Sequence, residues 1–536
     1  MPPVPRTRPL DPSAPAGTLL VAGTTSDAGK SLLTAGICRW LARQGVRVAP
    51  FKAQNMALNA AVTPDGLELG RAQAVQAAAC GIEPEALMNP VLLKPTGDRV
   101  SQVVLLGRPF GTAGARDYRR LRAELRDAVL DSLATLRGRF DAVICEGAGS
   151  PAEINLREGD FVNMGLARAA SIPTIVVGDI DRGGVLAAHY GTIALLDPAD
   201  QALIAGTVIN KFRGDPGLLE PGVAALERLT GRPLLGVVPW AEGLELDAED
   251  GLALRRFDRR SSAADALRVA VVGLRRISNF TDLDALAVEP EVDLRLTRDP
   301  DLLREADLVV LPGSKATVAD LEHLRADGLD QVLRERAARG RAILGVCGGY
   351  QMLGEQVEDD GIETGDGTVP GLGLLPVRTA MAADKITRRR TGRLRVGGDG
   401  ALAADGPGVD AGGYEIRHGR VVRHGGLRLI DADPVAAAGG EADPADEGCV
   451  VGTVVGSSWH GLLEHDEARR ALLGWAAATA GRGFRPGDVR FAEVRERRLD
   501  ALGDLVEQHL DGPALLRLLR EGAPGGLPTL ACGPLD

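Results

Sequence analysis

The sequence predicts two consecutive α/β domains, each built on a parallel sheet, and three observations carry that prediction. From residue 18 onward, strand-length apolar runs alternate with amphipathic helical patterns for roughly 220 residues, the signature of successive βαβ units. Between Trp240 and Asp265 the chain turns acidic and then basic with little periodicity, which marks a linker. At RVAVVGL the alternation resumes, and a chain of 536 residues is too long for one hydrophobic core.

The elements follow in order. Residues 1–17 are proline-rich and are expected to be disordered. In the first domain, 18–240, strands are predicted near Thr18 to Ala22, Val46 to Phe51, Ala142 to Cys145, Thr174 to Val177, Ala205 to Ile209 and Leu234 to Val238. After a linker over 241–266, the second domain, 267–480, has strands near Val269 to Val272, Val292 to Leu296, Leu308 to Leu311 and Ala342 to Val346, and closes on VVGTVVGSSWH. Residues 388–412 and 432–448, rich in Gly, Ala, Asp and Arg, read as inserted surface loops. A helical segment and a Gly/Pro tail complete the chain over 481–536.

Composition narrows the function. A net charge of −11, with no basic face carrying interleaved aromatics, argues against nucleic acid as a partner. No apolar run reaches the roughly 18 residues of a membrane span, and MPPVPRTRPLDPSAP lacks the apolar core of a signal peptide, so a cytoplasmic protein is expected. Six scattered cysteines without a CxxC pair suit reduced thiols. Basic residues are overwhelmingly arginine, and the six lysines, Lys30, Lys52, Lys94, Lys211, Lys315 and Lys385, single out places where a compact ammonium is needed. No feature sets an oligomeric state.

GTTSDAGKS, from Gly23 to Ser31, lies between a strand and the amphipathic helix SLLTAGICRWLARQ, the context a phosphate-binding loop requires. Its backbone at Thr24, Thr25 and Gly29 would cradle phosphate, Lys30 would hold the terminal phosphates of ATP, and Ser31 would hold Mg²⁺. Gly23 stands one residue further from Gly29 than in the common loop, a departure that resembles the loop of dethiobiotin synthetase and its relatives. Glu146 ends an apolar strand in CEGAGSPAEINL, where a carboxylate can anchor the metal at the ligand-binding edge of an open sheet. Lys52 in FKAQNMALN reaches the same edge, with Gln54, Asn55 and Asn59 as substrate contacts and Glu153 and Lys94 as weaker ones. Asp179 and Asp181 in VVGDIDRGG suit metal ligation, substrate contact or a helix cap. Asn210 is similar to the adenine-recognising asparagine of dethiobiotin synthetase-like proteins and equally suits a turn closing a strand. Arg157, Arg182 and Arg213 are candidates for basic contacts to a substrate.

GVCGGYQMLG, from Gly345 to Gly354, sets Cys347 in a strand-turn-helix elbow whose helix N-terminus favours the thiolate. The backbone N–H groups of Gly348 and of Gly313, in LPGSKAT, would form an oxyanion hole. His460 in GSSWHGLLEHD is the expected general base, ahead of His465 and His418. The His-x-Glu continuation of triad glutaminases is missing. Glu464 could orient His460 only if the following helix turned it back, and the third member stays unassigned.

FKAQNMALN, MNPVLLKPTGD, CEGAGSPAEINL, RISNFTDLDAL, GYQMLG and GGYEIRHGR, in that order, resemble the glutamine-hydrolysing cobyric acid synthases. The resemblance implies a P-loop parallel-sheet domain followed by a class I glutamine amidotransferase-like α/β domain. It also implies ATP, Mg²⁺ and glutamine as reactants and adenosylcobyrinic acid a,c-diamide as the corrinoid substrate, amidated at carboxylates b, d, e and g. The related a,c-diamide synthase and a ParA- or MinD-like ATPase switch are the alternatives. The switch needs neither Cys347 nor His460.

Overall fold

The structure, a computed structural model, describes residues 17–97, 100–241, 243–244, 261, 265–363, 365–397, 402, 408–434 and 446–531. The proline-rich start, through residue 16, and nearly all of the expected linker lie outside the described residues.

The first half is organised on a six-stranded, wholly parallel sheet. Its order is Leu234–Pro239, Ile204–Phe212, Thr174–Asp179, Gly17–Gly23, Ala142–Glu146, Val48–Phe51. Each of the six predicted strands is present, within a few residues of its expected ends. Helices cover both faces, so the central strands read as continuous apolar runs, and GTLLVAG and AVICE are buried at every position. The first strand lies in the middle, with Ala142–Glu146 and Val48–Phe51 on one side and the three later strands on the other. Its loop therefore opens at a topological switch point, where such sheets bind ligands.

The second half repeats the plan with the order Val292–Thr297, Leu267–Val272, Leu308–Leu311, Ala342–Val346, Val454–Ser457, Cys449–Val451. Only the last pairing is antiparallel. The two-domain α/β architecture is thus as the alternation predicts.

Two features add to the expectations and one, the reading of 388–412 as surface loop, is corrected. A four-stranded sheet, Gln54–Met56, Val91–Pro95, Val100–Leu105 and Arg108–Gly114, is attached to the first half. Its last two strands turn through Leu106 (φ 47°) and Gly107 (φ 76°), a two-residue hairpin turn with both residues left-handed. Leucine at the first of them supplies no turn signal in the sequence.

Residues 388–394 and 409–412 are not surface loop: they belong to the long antiparallel strands Val377–Leu394 and Val409–Arg423. These strands lack apolar alternation because part of the buried side is ionic, with Arg388 (2.5 Å) and Arg417 (2.6 Å) on the buried Glu415.

The C-terminal helices return to the first half. Phe491–His509 lies on the phosphate-loop helix Lys30–Arg43 so closely that a methyl at Gly36 would stand 2.8 Å from the Leu502 carbonyl. Gly512–Glu521 abuts Gly17 in the same way, at 2.5 Å from the Leu519 carbonyl. Leu499, Leu502, Val506 and Leu515 join the first domain's core. That apolar burial carries the contact, since the partner carboxylates of the Arg39–Asp500 and Arg43–Asp504 pairs are about half exposed and such pairs contribute little.

Candidate active site

In the first half, Gly29 (φ 95°) turns left-handed to launch the helix Lys30–Arg43. A methyl there would fall 2.1 Å from Asn210 Nδ2, so conformation and space both demand glycine. Asn210 donates to the Ala28 carbonyl (2.9 Å), and Thr24 N–H donates to the Val177 carbonyl (2.8 Å), which together fasten the loop. The buried Lys30 curls back, its Nζ donating to the carbonyls of Thr25 (2.9 Å), Ser26 (2.9 Å) and Gly149 (3.1 Å).

Glu146 is buried and receives three donors: Lys52 Nζ (2.8 Å) and Ser31 Oγ (2.8 Å) on Oε1, and Gln76 Nε2 (2.6 Å) on Oε2. Burial pushes this carboxyl up, but Lys52 and the three hydrogen bonds outweigh it and hold the acid below its ordinary range. Ser31 Oγ and the Glu146 carboxylate, two hard oxygens 2.8 Å apart, suit magnesium, which takes one or two protein ligands and fills its shell with water and phosphate oxygens. Among the described residues no cluster of three or more His, Cys, Asp or Glu offers another metal site.

These groups face a cavity of about 640 Å³, lined also by Gln54, Asn55, Glu153 and Arg157 and roofed from the second half by Arg275, Ile277 and Phe280. Arg157 reaches it while paired with Asp200 (2.6 and 2.8 Å). Asp179 and Asp181 do not line it. Asp179 takes Lys211 Nζ (2.7 Å) and caps the Asp181 N–H (2.9 Å), and Asp181 pairs with Arg213 (3.2 Å). Both carboxylates are taken up in ion pairs, and the following helix, Val185–Ala194, starts at Gly184 without a side-chain cap. Arg182 bridges Asp27 and Asp179, and Arg213 covers the Trp240 ring at 4.0 Å.

Asn59 and Lys94 sit elsewhere, at the boundary between the halves. Asn59 Oδ1 accepts from the Phe280 N–H (3.0 Å), and Asn279 Oδ1 accepts from the Ala60 N–H (2.8 Å), a reciprocal clamp across the interface. Lys94 lines the Cys347 pocket instead of the phosphate-loop cavity. Strand alternation is the reason: Pro95, the next residue, is the one that faces the larger cavity.

In the second half, Cys347 adopts φ 49°, ψ −108°, a strained conformation for a residue with a side chain, at the start of the helix Gly348–Leu353. Methyls on Gly348 and Gly349 would meet Ser314 N at 2.8 Å and the Leu311 carbonyl at 2.0 Å, so the elbow is pressed against the turn at Gly313. A methyl on Gly313 would in turn stand 2.8 Å from His460 Cε1. Cys347, His460, Gly313 and Gly348 therefore converge on one point.

The position left unassigned on the sequence is filled by Asp282. Its Oδ2 lies 2.7 Å from His460 Nδ1 and its Oδ1 accepts from the Gly461 N–H at 2.7 Å, which aims Nε2 at Cys347. Burial lowers the His460 pKa, but Asp282 and Cys347 outweigh that and push it up to about 10, which favours an imidazolium at this position. Glu464 is occupied otherwise, binding Arg71 (2.5 Å) and Arg495 (3.0 Å). His465 precedes the helix Asp466–Thr479, and His418 stands in the wall of the Cys347 pocket. Lys315, Lys385, Gln351 and Arg417 also line that pocket. Three of the chain's six lysines thus gather around the thiol, which the arginine bias signals without locating.

Comparison with known proteins agrees with both domains. Residues 19–254 match the CobQ/CobB/MinD/ParA nucleotide binding domain, and residues 268–468 match the CobB/CobQ-like glutamine amidotransferase domain. Along 96% of its length the chain is 58% identical to the cobyric acid synthase of Frankia casuarinae, 56% to that of Streptomyces avermitilis and 52% to that of Mycolicibacterium gilvum, covering 99% of each relative.

Proposed function

The chain belongs to the cobyric acid synthase family, and from that premise we propose how its residues carry out the reaction. It is a glutamine-hydrolysing ligase that uses ATP to amidate adenosylcobyrinic acid a,c-diamide, giving adenosylcobyric acid in cobalamin synthesis. Against the a,c-diamide synthase and the ATPase switch stands the 52–58% identity to cobyric acid synthases along 96% of the chain.

ATP is taken by the loop Gly23–Ser31, with Lys30 released from its carbonyls to the terminal phosphates. Ser31 and Glu146 would hold Mg²⁺, which supplies charge neutralisation at the phosphates. Lys52, beside Glu146, is placed to stabilise charge as the γ-phosphate passes to a corrinoid carboxylate and forms an acyl phosphate. In the second half Cys347 attacks the glutamine carboxamide, and the Gly313 and Gly348 N–H groups receive the oxyanion. His460, oriented by Asp282, gives a proton to the departing ammonia and then draws one from the water that hydrolyses the glutamyl thioester. Ammonia crosses to the acyl phosphate through the domain interface. We place the reaction in the cytoplasm, where ATP and glutamine are supplied. No helix among the described residues is long and apolar enough to cross a membrane.

One observation carries the reading: the Cys347 pocket and the phosphate-loop cavity share a wall, the segment Ile277–Phe280, which lines both. The test is mass spectrometry of the corrinoid after incubation with ATP, Mg²⁺ and glutamine, comparing the parent with Cys347→Ala. Successive amidation in the parent, lost with glutamine but retained with ammonia in the variant, is expected. Amidation that survives on glutamine in Cys347→Ala would remove the thiol from the mechanism.

A further inference from the structure

The shared wall is thin and its composition is unusual. Ile277 and Phe280 face the larger cavity while Ser278 and Asn279 face the Cys347 pocket. The end of the strand Val91–Pro95 divides in the same way, with Lys94 toward the thiol and Pro95 toward the phosphate loop. The pocket on the Cys347 side is only about 20 Å³, room for a water-sized molecule.

Beside it lies a buried charge cluster that spans the two halves. Glu68 is fully buried and accepts from Lys94 (2.6 Å) and from Lys385 (2.5 Å), both of whose side chains are 2% exposed. Glu68 and Lys94 belong to the first half and Lys385 to the long hairpin of the second. Burial pushes the Glu68 acid up, yet the two lysines outweigh it and hold it well below the carboxylate range. One carboxylate thus faces two ammonium groups. Lys315, paired with Glu363 at 3.5 Å, adds a further cation to the pocket wall. Fold stability does not call for this excess, because an apolar residue in place of one lysine would avoid its desolvation.

Lys385 reports what these surroundings do to an ammonium group. Burial, with Lys94 and Lys315 nearby, outweighs Glu68 and pulls it down from 10.5 to about 7. An ammonium ion entering the same pocket would meet the same desolvation and the same neighbouring cations, which disfavour its charged form. His418, on the same wall, is brought down to about 4 by burial and by Lys315 and Lys385. As a neutral ring it donates from Nδ1 to the Ala382 carbonyl (3.0 Å) and accepts at Nε2 from Gln102 (3.2 Å), so it has no proton to offer.

We propose that Lys94, Glu68 and Lys385 form a charge filter at an ammonia port, past which the neutral amine released at Cys347 moves by Lys94 and Asn279 into the phosphate-loop cavity while ammonium is turned back. The inference rests on the reading that ammonia passes directly between the halves. It assigns Lys94 a positioning role at the glutaminase side of the wall.

The full-length enzyme tests it. Parent, Lys94→Met, Lys94→Arg and Lys385→Met are given unlabelled glutamine in a buffer containing ¹⁵N-ammonium, and two quantities are read: glutamate released per amide formed, and ¹⁵N in the corrinoid amides. The parent is expected to use glutamine nitrogen with matched glutamate release. In Lys94→Met and Lys385→Met, glutamate should exceed amide several-fold and label should enter. Lys94→Arg should stay near the parent, and ammonia-supported amidation should persist in all three. A parental ratio and excluded label in both Met variants overturn the filter. So does a raised KM for glutamine with the ratio intact, which would make the cluster a glutamine-binding site, and so does loss of ammonia-supported amidation in both, which would make it structural. Free entry of label in the parent would instead overturn direct transfer itself.

Discussion

The two reaction centres differ in how much of each is built by its own half of the chain. Around the phosphate loop, the hydrogen bonds described for Lys30, Lys52 and Glu146 come from residues between Thr25 and Gly149, and the second half contributes a roof. The Cys347 pocket is composite. Lys94 enters it from the first half, and Tyr414, stacked 5.6 Å from the His460 ring, packs with Ala57, Leu92 and Val104 of that half. A phosphate site can be complete before its partner arrives, whereas glutamine hydrolysis in this arrangement is completed by the synthetase half. That is the sense in which the second site should respond to the state of the first.

The sharpest way to break the contrast is at Asp282, because it touches only the glutamine side. Asp282→Asn removes the charge that orients His460, and glutamine-dependent kcat/KM should fall by about 10²- to 10⁴-fold. Ammonia-supported amidation should remain, and equal loss of both activities would show that Asp282 serves folding. A pH signature accompanies this. The folded His460 pKa is raised from 6.5 to about 10, so its stabilisation is complete below pH 6.5 and is lost as pH climbs toward 10. Chemical denaturation of the parent should show stability falling across that window, and Asp282→Asn should flatten the fall.

Asp282 also marks the limit of what the sequence discloses. The sheets were legible because fully buried strands leave long apolar runs between amphipathic helices, and the loop and elbow because their glycines stand at spacings that the backbone requires. The orienting acid stands 178 residues from His460, and nothing local to GSSWHGLLEHD points to it. RISNFTDLDAL, which contains Asp282, stands out in the sequence only through its family resemblance. Lys94 had the right chemistry but the wrong cavity, since a one-residue difference in strand facing separates it from Pro95. The long hairpin was hidden for a related reason: its buried side is partly built from Arg–Glu pairs, so its composition reads as surface.

On the other side of the comparison, Lys52→Met should expose how self-contained the phosphate site is. It strands the fully buried Glu146 with Ser31 and Gln76 alone. Removing one partner of a buried ion pair costs about 3–5 kcal/mol, measurable by denaturant titration, and Mg²⁺ with nucleotide should restore part of it. Since Cys347 is remote from this carboxylate, the variant should keep basal glutamine hydrolysis if the protein stays folded at the assay temperature. Parallel loss of hydrolysis in soluble, folded protein would mean that the two centres are less separable than their contacts suggest.

The smallest expected effect falls on the clamp that joins the two regions. Asn59→Ala removes the Oδ1 that accepts from the Phe280 N–H, and Asn279→Ala removes the one that accepts from Ala60, each costing about 1–3 kcal/mol. Phe280 and Asn279 are consecutive, and Asn59 and Ala60 are consecutive, so once either bond is lost the facing backbones can separate and release the other. The double variant should therefore be less destabilised than the sum of the single ones, by an interaction energy of about 0.5–3 kcal/mol in a double-mutant cycle. Strict additivity would mean that each half holds its own segment rigid without the other. In that case, dependence of glutamine hydrolysis on the nucleotide half would have to run through the side chains of Lys94 and Tyr414 and not through this backbone contact.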